Sequence, residues 1–453
     1  MKTPVGDQAS LSAPRILPRD EHSLSRGMLS ENALKVLYRL NKAGFQAYLV
    51  GGCVRDGLLG ITPKDFDVAT DATPDEVKAL FRNAMIIGRR FRIVHVRFGR
   101  EIIEVTTFRG QHDDEDDVSR AHRSATGMLL RDNVWGSIDE DALRRDFTVN
   151  ALYYSVADFS IYDWTGGIDD LERRQLKLIG DPEVRYREDP VRMLRAIRFA
   201  GKLGFKIEER TAAPIIDLAP LLLSIPPARL FEEVLKLFLN GAALETYRGL
   251  REHGLFAMLF PVTFDALSVM PWAETMIEQA LVNTDQRILE GKPVTPAFLY
   301  AALLWPAVVM DANALEEEGM PPALAHQQAA QQVISRQLQH TSIPKRFSFP
   351  MRDIWELQLR LPRRKGKRAD QVMSHPRFRA GYDFLLLRES AGELAAGLGE
   401  WWTRYQTLED AERRGMISQI VHEPAGLDEP LPETASKPTR SRRRPRRRPP
   451  RGE

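Results

Sequence analysis

The chain contains very little cysteine, since Cys53 is the only one among its 453 residues. A single cysteine excludes an internal disulfide and a cysteine-rich zinc site, which is typical of proteins in a reducing cytoplasm. The N-terminus lacks the apolar segment of a secretory signal. The longest apolar run, Ala297 to Met310, has 14 residues and is interrupted by Pro306, whereas a membrane-spanning helix needs roughly 20. We therefore expect no membrane span and a cytoplasmic location.

The chain also lacks a large net charge, because 64 basic and 62 acidic residues leave only +2. These charges are nevertheless segregated along the sequence. Residues 440–453 carry eight arginines and one glutamate, so this tail has a charge of +7 and the other 439 residues have −5. A basic tail on a near-neutral body predicts contact with a polyanion, with Arg442, Arg443 and Arg444 as candidate RNA contacts. Recruitment of an acidic protein partner or a gain in solubility stays open.

The length is too great for one compact core, and the sequence divides into five segments. We predict an α+β protein in which a small mixed-sheet head precedes an all-helical neck and body. The predicted segments are a flexible N-terminal arm (1–30), the head (31–155), the neck (156–260), the body (261–422) and a disordered arginine-rich tail (423–453).

Local patterns identify the elements of the head. Gln46–Val50 is predicted to be a strand that leads through two glycines into a helix, and Asp65–Ala69 alternates as a half-buried strand does. Thr73 is followed by proline at the first helical position and by glutamate at the third, which predicts a capped helix. Two apolar-rich strands around Gly99-Arg100 predict a hairpin. The polar stretch 110–127 is expected to be a loop.

Two aspartates, Asp65 and Asp67, alternate with apolar residues in one of these predicted strands. Side chains two apart in a strand share a face, so the spacing predicts neighbouring carboxylates. Such carboxylates repel unless a cation lies between them, and Mg²⁺ prefers carboxylate and phosphate oxygens. Two metals about 3.5–4 Å apart can stabilise the attacking and leaving oxygens of a phosphoryl displacement. The pair therefore predicts Mg²⁺ (or Mn²⁺) binding, although a lone Asp-x-Asp is more often a solvated strand edge.

The glycine pair before the first predicted helix of the head suits a phosphate. Without a side chain at Gly51 or Gly52 the backbone can approach a phosphate closely and direct amide groups at it. Arg55, one turn into the helix, offers a fork of donors to a triphosphate. A glycine pair alone is usually only a turn, so its value depends on the neighbouring carboxylates.

The whole segment LVGGCVRDGLLGITPKDFDVAT, residues 49–70, resembles the signature of the class II nucleotidyltransferase superfamily. That superfamily includes CCA-adding tRNA nucleotidyltransferases and bacterial poly(A) polymerases. The resemblance implies a head similar to the DNA polymerase beta palm. It also implies that Asp65 and Asp67 bind metal, and that the glycine turn and Arg55 contact the nucleotide.

A second segment, residues 136–154, resembles another motif of the superfamily. The resemblance implies a nucleotide contact by Arg145 and an active-site carboxylate at Asp146, although Arg-Arg-Asp is by chemistry more often a surface ion-pair cluster. Glu104, on the second strand of the predicted hairpin, is a further candidate metal ligand or a solvent-facing residue. Whether Glu104 or Asp146 is the third essential carboxylate stays open.

A third segment, REDPVRMLRAIRF at 187–199, reads as a helix that Asp189 caps. Arg192, Arg195 and Arg198, spaced by three, fall on one side of this helix beside an apolar stripe. Such a row is usually a solvated face. The segment also resembles the superfamily's E-D-x(2)-R motif, which implies that Asp189 and Arg192 read the base while the later arginines lie near the triphosphate.

Residues 345–368 contain nine Lys or Arg among three aromatic residues, a composition that suits single-stranded RNA. The aromatics are Phe347, Phe349 and Trp355, and such residues are more often part of a core. The candidate RNA contacts in this segment are Lys345, Arg346, Arg363, Arg364, Lys365, Lys367 and Arg368.

Residues 129–148 are similar to the signature that separates bacterial poly(A) polymerases from CCA-adding relatives, with Trp135 in place of Phe or Tyr. The resemblance implies a template-independent adenylyltransferase that adds AMP from ATP to RNA 3′ ends by a two-metal mechanism. The expected partners are ATP, RNA 3′ ends and, through the basic tail, other RNA-processing proteins. Two alternatives stay open, a CCA-adding tRNA nucleotidyltransferase and a catalytically inactive RNA-binding protein. The intact aspartate pair argues against inactivity.

Overall fold

A computed structural model describes residues 13–88, 92–110, 121–123, 129–132 and 134–420 of the chain. Eight strands form one sheet, two short pairs lie outside it, and helices dominate after residue 181. The strands are β1 (Arg15–Leu17), β2 (Ala47–Val50), β3 (Asp67–Thr70), β4 (Ala84–Ile87), β5 (Ile93–Phe98), β6 (Glu101–Thr107), β7 (Ala121–Arg123), β8 (Leu129–Asp132), β9 (Leu152–Ser155), β10 (Ile161–Asp163), β11 (Gln175–Leu176) and β12 (Lys206–Ile207).

The helices of the head and of the segment that follows it are mostly short. They are α1 (Glu31–Lys42), α2 (Gly52–Leu58), α3 (Pro74–Leu80), α4 (Ile138–Arg144), α5 (Gly167–Glu172), α6 (Pro182–Glu188), α7 (Val191–Leu203), α8 (Glu209–Ala212), α9 (Ile215–Leu218), α10 (Pro227–Phe238), α11 (Ala243–Glu252), α12 (Leu255–Leu259) and α13 (Pro261–Leu267).

The remainder of the described chain contains the four longest helices together with several shorter ones. They are α14 (Ala273–Leu289), α15 (Pro296–Glu317), α16 (Pro322–Gln337), α17 (Lys345–Arg360), α18 (Arg368–Met373), α19 (Phe378–Ser390), α20 (Leu398–Tyr405) and α21 (Asp410–Ser418). The predicted α+β class, with a mixed-sheet head before a helical region, is confirmed.

The head sheet runs in the order β1-β10-β9-β2-β3-β6-β5-β4. Its pairs are antiparallel except β3–β6, which is parallel. The connection from β3 to β6 is long, since it contains α3 and two further strands. Parallel neighbours need such a crossover. The apolar stripe of α1 is buried in the head core, where β3 also contributes Val68. The sheet thereby holds β3, the aspartate strand, at its centre.

Most of the local expectations for the head hold. The hairpin is formed by β5 and β6 around Gly99-Arg100. The capping box of α3 is present, with Thr73 accepting from the Glu76 amide and the Glu76 carboxylate accepting in return. The strand expected over Asp65–Ala69 begins only at Asp67, so Asp65 lies on the connection that precedes it. The polar stretch 110–127 lies largely outside the described residues, but β7 falls within it, where the loop prediction is wrong.

The predicted boundaries of the head are too narrow at both ends. Residues 15–17, assigned to a flexible arm, form β1 and pair with β10. Leu24, a little further along the chain, is fully buried and anchors this part of the chain on the head. At the other end β10, beyond residue 155, is a member of the same sheet. Sequence periodicity failed here because strands of three residues are too short to show alternation.

The helical region is organised around α15. This helix is 22 residues long, and by length and composition alone it could cross a membrane, but 61% of its most apolar window is buried inside the protein. Tyr300 and Trp305 are almost fully buried on it, and α16 and α17 pack against it. The 14-residue apolar run of the sequence is therefore the interior of a core helix, extended by a polar last turn.

Candidate active site

The glycine turn brings the backbone close to two charged side chains. Gly51 has φ 80° and ψ −132°, a conformation that L side chains rarely adopt. A Cβ at this position would lie 3.8 Å from Arg145 Nη1 and 4.0 Å from Asp67 Oδ2. The turn thus places main chain, a guanidinium and a carboxylate around one small space. Cys53, which follows, is buried and donates to the Val50 carbonyl, as a packing residue does.

Sheet register brings the predicted carboxylates together. In the parallel pair of β3 and β6, Asp67 lies directly beside Glu104. Burial and the Glu104 carboxylate raise the pKa of Asp67 to about 6, with a smaller contribution from Asp65, while Arg145 opposes the shift. A raised carboxyl pKa means that the ionised form is disfavoured in the protein alone. A cation at this position would therefore favour the ionised form of Asp67.

This arrangement fits a metal that takes part of its coordination from substrate. Among the described residues, no three Asp, Glu, His or Cys side chains are placed to hold a metal ion by themselves. Mg²⁺ is usually bound by one or two carboxylates together with substrate phosphates and water. Asp67 and Asp65 suit that role. Glu104 is instead hydrogen-bonded to His95 Nε2 at 3.1 Å, so it stands beside Asp67 as a second anion.

Arg145 is fixed by a buried hydrogen-bond group. Its Nε and Nη2 donate to Asp141 Oδ2, and its Nε also donates to the Tyr153 hydroxyl at 2.8 Å. Burial lowers the pKa of this guanidinium, but Tyr153 and Asp141 more than compensate, so the pKa is raised and the charge is held. The Nη1 corner is the one near Gly51. Arg145 thus lies beside the glycine turn, and its contact with a nucleotide stays a prediction.

Asp146 is held by an ion pair with Arg195 and by hydrogen bonds. Its Oδ2 is 2.5 Å from Arg195 Nη2, and its Oδ1 accepts from the Phe147 amide and from Asn150. Burial raises its pKa, but the Arg195 ion pair and these hydrogen bonds outweigh burial and hold the pKa at about 2. This ion pair holds Arg195 in place, and the role of Asp146 as an active-site carboxylate stays a prediction.

The helix α7 presents the predicted base-reading pair in a prearranged form. Asp189 accepts from the Val191 amide at 3.3 Å, although α7 begins at Val191 and its N-cap residue is Pro190, one position later than predicted. Both of its carboxylate oxygens also accept from Arg229 Nη2, at 2.9 and 3.1 Å. Arg192 Nη1 donates to the Arg185 carbonyl and to Glu188. Asp189 and Arg192 are thus each held by neighbouring residues, and Arg229 is a partner that the sequence pattern did not reveal.

Further along α7, positive charge accumulates. Burial and the neighbouring Arg195 lower the pKa of Arg198 to about 10, and its Nε is buried without a hydrogen-bond partner. Burial also lowers the pKa of Lys202, and Arg55, Arg198 and Lys64 lower it further while Asp56 opposes them. Cations close enough to lower the pKa of a neighbouring cation suit an anionic ligand. Lys202 was missed in the sequence, although it continues the arginine row by four residues and so shares its face.

Arg55 has a different environment from the one its motif suggests. It is only 2% exposed, and it donates to Asn150 Oδ1 at 2.5 Å and to Asp56. All three guanidinium nitrogens therefore already donate within the protein. This geometry ties α2 to the segment that carries Arg145 and leaves contact with a nucleotide as a prediction for Arg55.

The basic segment of the body splits into exposed and packed parts. Lys345 and Arg346 are exposed in the first turn of α17, and Lys365, Lys367 and Arg368 are exposed after that helix ends. Arg363 and Arg364 are partly buried, and Arg364 lies over the Trp401 ring at 4.9 Å. Among the aromatics, Trp355 is core and donates to the Ala301 carbonyl, Phe347 packs on Phe231, and Phe349 is 57% exposed. Arg442, Arg443 and Arg444 lie outside the described residues.

Three family models match the chain. They are the "Poly A polymerase head domain" at residues 47–177, the "Probable RNA and SrmB- binding site of polymerase A" at 204–267, and the "Polymerase A arginine-rich C-terminus" at 318–449. The head match extends past residue 155, in agreement with the place of β10 in the sheet.

Individual relatives agree with these matches. A poly(A) polymerase I of Salmonella typhimurium is 52% identical over 448 residues, which cover 97% of this chain and 93% of that protein. A CCA-adding enzyme of Lactobacillus delbrueckii is 40% identical, but over only 49% of this chain and 54% of its own length. Among solved structures, the CCA-adding enzyme of Bacillus stearothermophilus in complex with CTP has a TM-score of 0.54 and 26% identity, covering 85% of this chain and 81% of that one.

Proposed function

The chain belongs to the poly(A) polymerase I family, and on that premise we propose how its own residues perform the reaction. The protein transfers AMP from ATP to RNA 3′ ends without a template. The CCA-adding alternative is disfavoured because such relatives match only about half of the chain, whereas poly(A) polymerases match nearly all of it. The observation that supports the assignment of the centre is the register of Asp67 beside Glu104, next to the Gly51 turn.

In this proposal the turn, Arg145 and the cations of α7 hold ATP. Gly51 and Gly52 let the triphosphate approach the main chain, and Arg145 lies beside it. Arg195, Arg198 and Lys202 receive the distal phosphates, which satisfies the buried Arg198 Nε. Orienting the triphosphate leaves the α-phosphate facing the 3′-hydroxyl of RNA. The hydroxyl attacks it and pyrophosphate leaves toward these cations.

We propose that Asp65 and Asp67 hold Mg²⁺ or Mn²⁺ together with oxygens of ATP. When bound, the ions neutralise the charge that develops on the reacting phosphate. The high pKa of Asp67 in the protein alone supports this proposal, since two anions face it. Glu104 strengthens the negative potential at that position, and its contact with His95 fixes its orientation.

Base selection is assigned to Asp189 and Arg192. Both side chains are held by other residues, Asp189 by Arg229 and Arg192 by Glu188. A polar pocket of fixed orientation discriminates by leaving its own groups unpaired when the wrong base enters. Because one nucleotide is added repeatedly, a single pocket state is sufficient. We further propose RNA contacts by the candidates in 345–368, by residues 204–267 as the family match suggests, and by Arg442, Arg443 and Arg444 of the tail. A cytoplasmic location and recruitment of RNA-processing proteins by the tail remain proposals.

The function is tested by incubating the pure protein with an unstructured labelled oligoribonucleotide and each nucleotide separately. Long products from ATP alone are expected. A tRNA lacking its 3′ end is the second substrate. Addition that requires CTP and stops after three nucleotides on the tRNA would overturn the assignment. Asp67→Asn is the inactive control. Asp71→Asn is the matched surface control, because Asp71 is exposed and directly follows β3.

A further inference from the structure

A groove lies between α16 and α17, far along the chain from the residues assigned to the nucleotide. It encloses about 760 Å³. One wall is formed by glutamines of α16, the other by Phe349 and Arg352 of α17, and Trp355 and His326 also line it. Nothing in the proposed chemistry uses this groove. Its walls nevertheless have a composition that differs from an ordinary helical surface.

The exposed face of α16 is uncharged from Pro322 to Ser335 and mostly polar, with Leu324 as an exposed apolar residue. Gln327, Gln328, Gln331 and Gln332 are exposed on it, and no Asp, Glu, Lys or Arg occurs between Pro322 and Ser335. In a chain with 28% charged residues, an exposed helical face would ordinarily carry several charges. Amide side chains offer a donor and an acceptor side by side. That pairing matches the N6 and N7 edge of adenine, for which Asn and Gln are the usual bidentate partners.

The facing wall of α17 combines an aromatic ring with positive charge. Phe349 is 57% exposed, unlike Trp355 one and a half turns later, which is core. Residues 345–352 contain Lys345, Arg346 and Arg352 and no acid. The acids that line the groove belong to the second half of α17, where Glu356 is 3.9 Å from Arg360. A base can stack on Phe349 while its phosphates lie toward the basic first half.

The groove also contains polar atoms that the protein does not satisfy. Arg352 Nη2 donates across the groove to Gln331 Oε1, but Arg352 Nε has no hydrogen-bond partner. His326 Nε2 is likewise buried without a partner, in a ring that packs on Trp305 at 5.1 Å. Buried polar atoms usually have partners, in protein or in what binds to it. Both atoms belong to side chains that line this groove, and they are candidates for hydrogen bonds with a ligand or with ordered water.

We propose that this groove is a second RNA site, which holds an adenine nucleotide of the single-stranded tail with the base stacked on Phe349 and its edge on the glutamines of α16. The inference rests on the proposed function, since the product of that reaction is an adenylate tail. RNA is favoured over a peptide helix because the α16 wall offers exposed amides that can pair with a base edge, beside the basic first half of α17. The site holds product or primer and takes no part in the transfer itself.

The test measures the affinity of fluorescein-labelled A15, C15 and U15 oligoribonucleotides for the full chain by anisotropy. Phe349→Ala is expected to weaken A15 binding by about 5- to 100-fold, as the loss of one stacked base does. Gln331→Ala is expected to reduce the preference for A15 over C15 by about 5-fold or more, since the amide reads the base edge. Tyr38→Ala, which truncates an exposed aromatic on the head, is the matched control and should leave A15 affinity unchanged.

Single-nucleotide addition at saturating RNA and ATP is measured on the same proteins. Retained addition by Phe349→Ala together with weakened A15 binding supports the site. Affinity for A15 within twofold of the parent in both variants overturns it, even if the enzyme makes long tails. Failure of the parent to make tails would instead refute the proposed function. Sedimentation provides the last arm: if Phe349→Ala turns a dimer into a monomer without affecting A15 affinity, the groove binds a second copy and the RNA proposal is wrong.

Discussion

The candidate active site and the helical body differ in how their buried charges are balanced. In the head, Asp67 faces two further carboxylates, and its pKa rises to about 6. Beyond the head, on α7, burial and neighbouring cations lower the pKa of both Arg198 and Lys202. In the body, Arg388 and Glu393 form a buried pair at 2.6 Å, and Glu393 also accepts from Trp305. In the body, these buried charges are paired with charges of opposite sign. In the candidate active site, charges of one sign lie together, and a ligand is expected to supply the opposite charge.

The comparison shows what a nucleotidyl-transfer site requires of its scaffold. Unbalanced carboxylates and guanidinium groups lower the stability of the protein alone, and the surrounding sheet must hold them in place. The eight-stranded sheet does so through register, because Asp67 and Glu104 cannot separate while β3 and β6 remain paired. The buried Arg388–Glu393 pair of the body is balanced in charge, so it is expected to behave as an ordinary stabilising contact.

The largest effect is expected for Asp67→Asn. Nucleotide addition should fall by at least about 10³-fold, since metal charge stabilisation contributes several kcal/mol to the transition state. Stability without metal should rise by about 1–3 kcal/mol at neutral pH, because a carboxylate with a raised pKa is destabilising when ionised. Single-turnover kinetics and thermal unfolding in EDTA measure the two quantities. Normal turnover, or a lower melting temperature, would contradict the comparison.

A second prediction separates two acids of the head. Asp146→Asn should destabilise the protein by about 1–3 kcal/mol, because Arg195 loses its ion-pair partner. Single-nucleotide addition at low temperature should remain within about tenfold of the parent, since the Asp146 carboxylate is already paired with Arg195. Urea unfolding and initial rates test the pair of outcomes. A loss of activity as large as that of Asp67→Asn, with stability unchanged, would return Asp146 to the reacting centre.

A third prediction concerns buried His326 in the body. Burial, with a contribution from Arg388, lowers its pKa to about 4, below the ordinary value of 6.5. The unfolded chain therefore binds the proton first, so His326 contributes stability above pH 6.5 that is lost as pH falls toward 4. The loss is expected to be about 2–3 kcal/mol. His326→Phe should show a shallower decline over this window. Parallel curves for parent and variant would show that His326 does not titrate differently on folding.

The smallest effect on chemistry is expected from removing the tail. Deletion of residues 440–453 removes +7 of charge, so RNA affinity should fall and its dependence on salt should flatten. Addition of one nucleotide at saturating RNA should be unaffected, since the proposed reacting residues all lie in the head and the first helices after it. Binding isotherms at several salt concentrations measure the slope. An unchanged slope would assign the tail to another partner.

The head motifs could be found in sequence because each depends on local spacing. The capping residues of α3 and the turn between β5 and β6 were identified correctly, since propensity and turn chemistry act over a few residues. Asp65 was predicted to lie in β3 but belongs to the connection before it, since the strand begins at Asp67. The prediction was wrong because the alternation of Asp65 with Phe66 continues the pattern of the strand. The inclusion of β1 and β10 in the head sheet was missed, because strands of three residues show no periodicity.

What the sequence by itself determined is the set of reactive residue types and their local spacing, from the glycine turn and aspartate pair to the arginine row of α7. Tertiary structure alone decided which charges meet. Asp67 lies beside Glu104 through parallel pairing, whereas Asp146 pairs with Arg195, 49 residues away in the chain. Spacing along a strand or helix sets the direction of a side chain, but its charge partner comes from another element. Coulomb interactions depend on that distance in space, so the charge partner of each acid appears only in the folded protein.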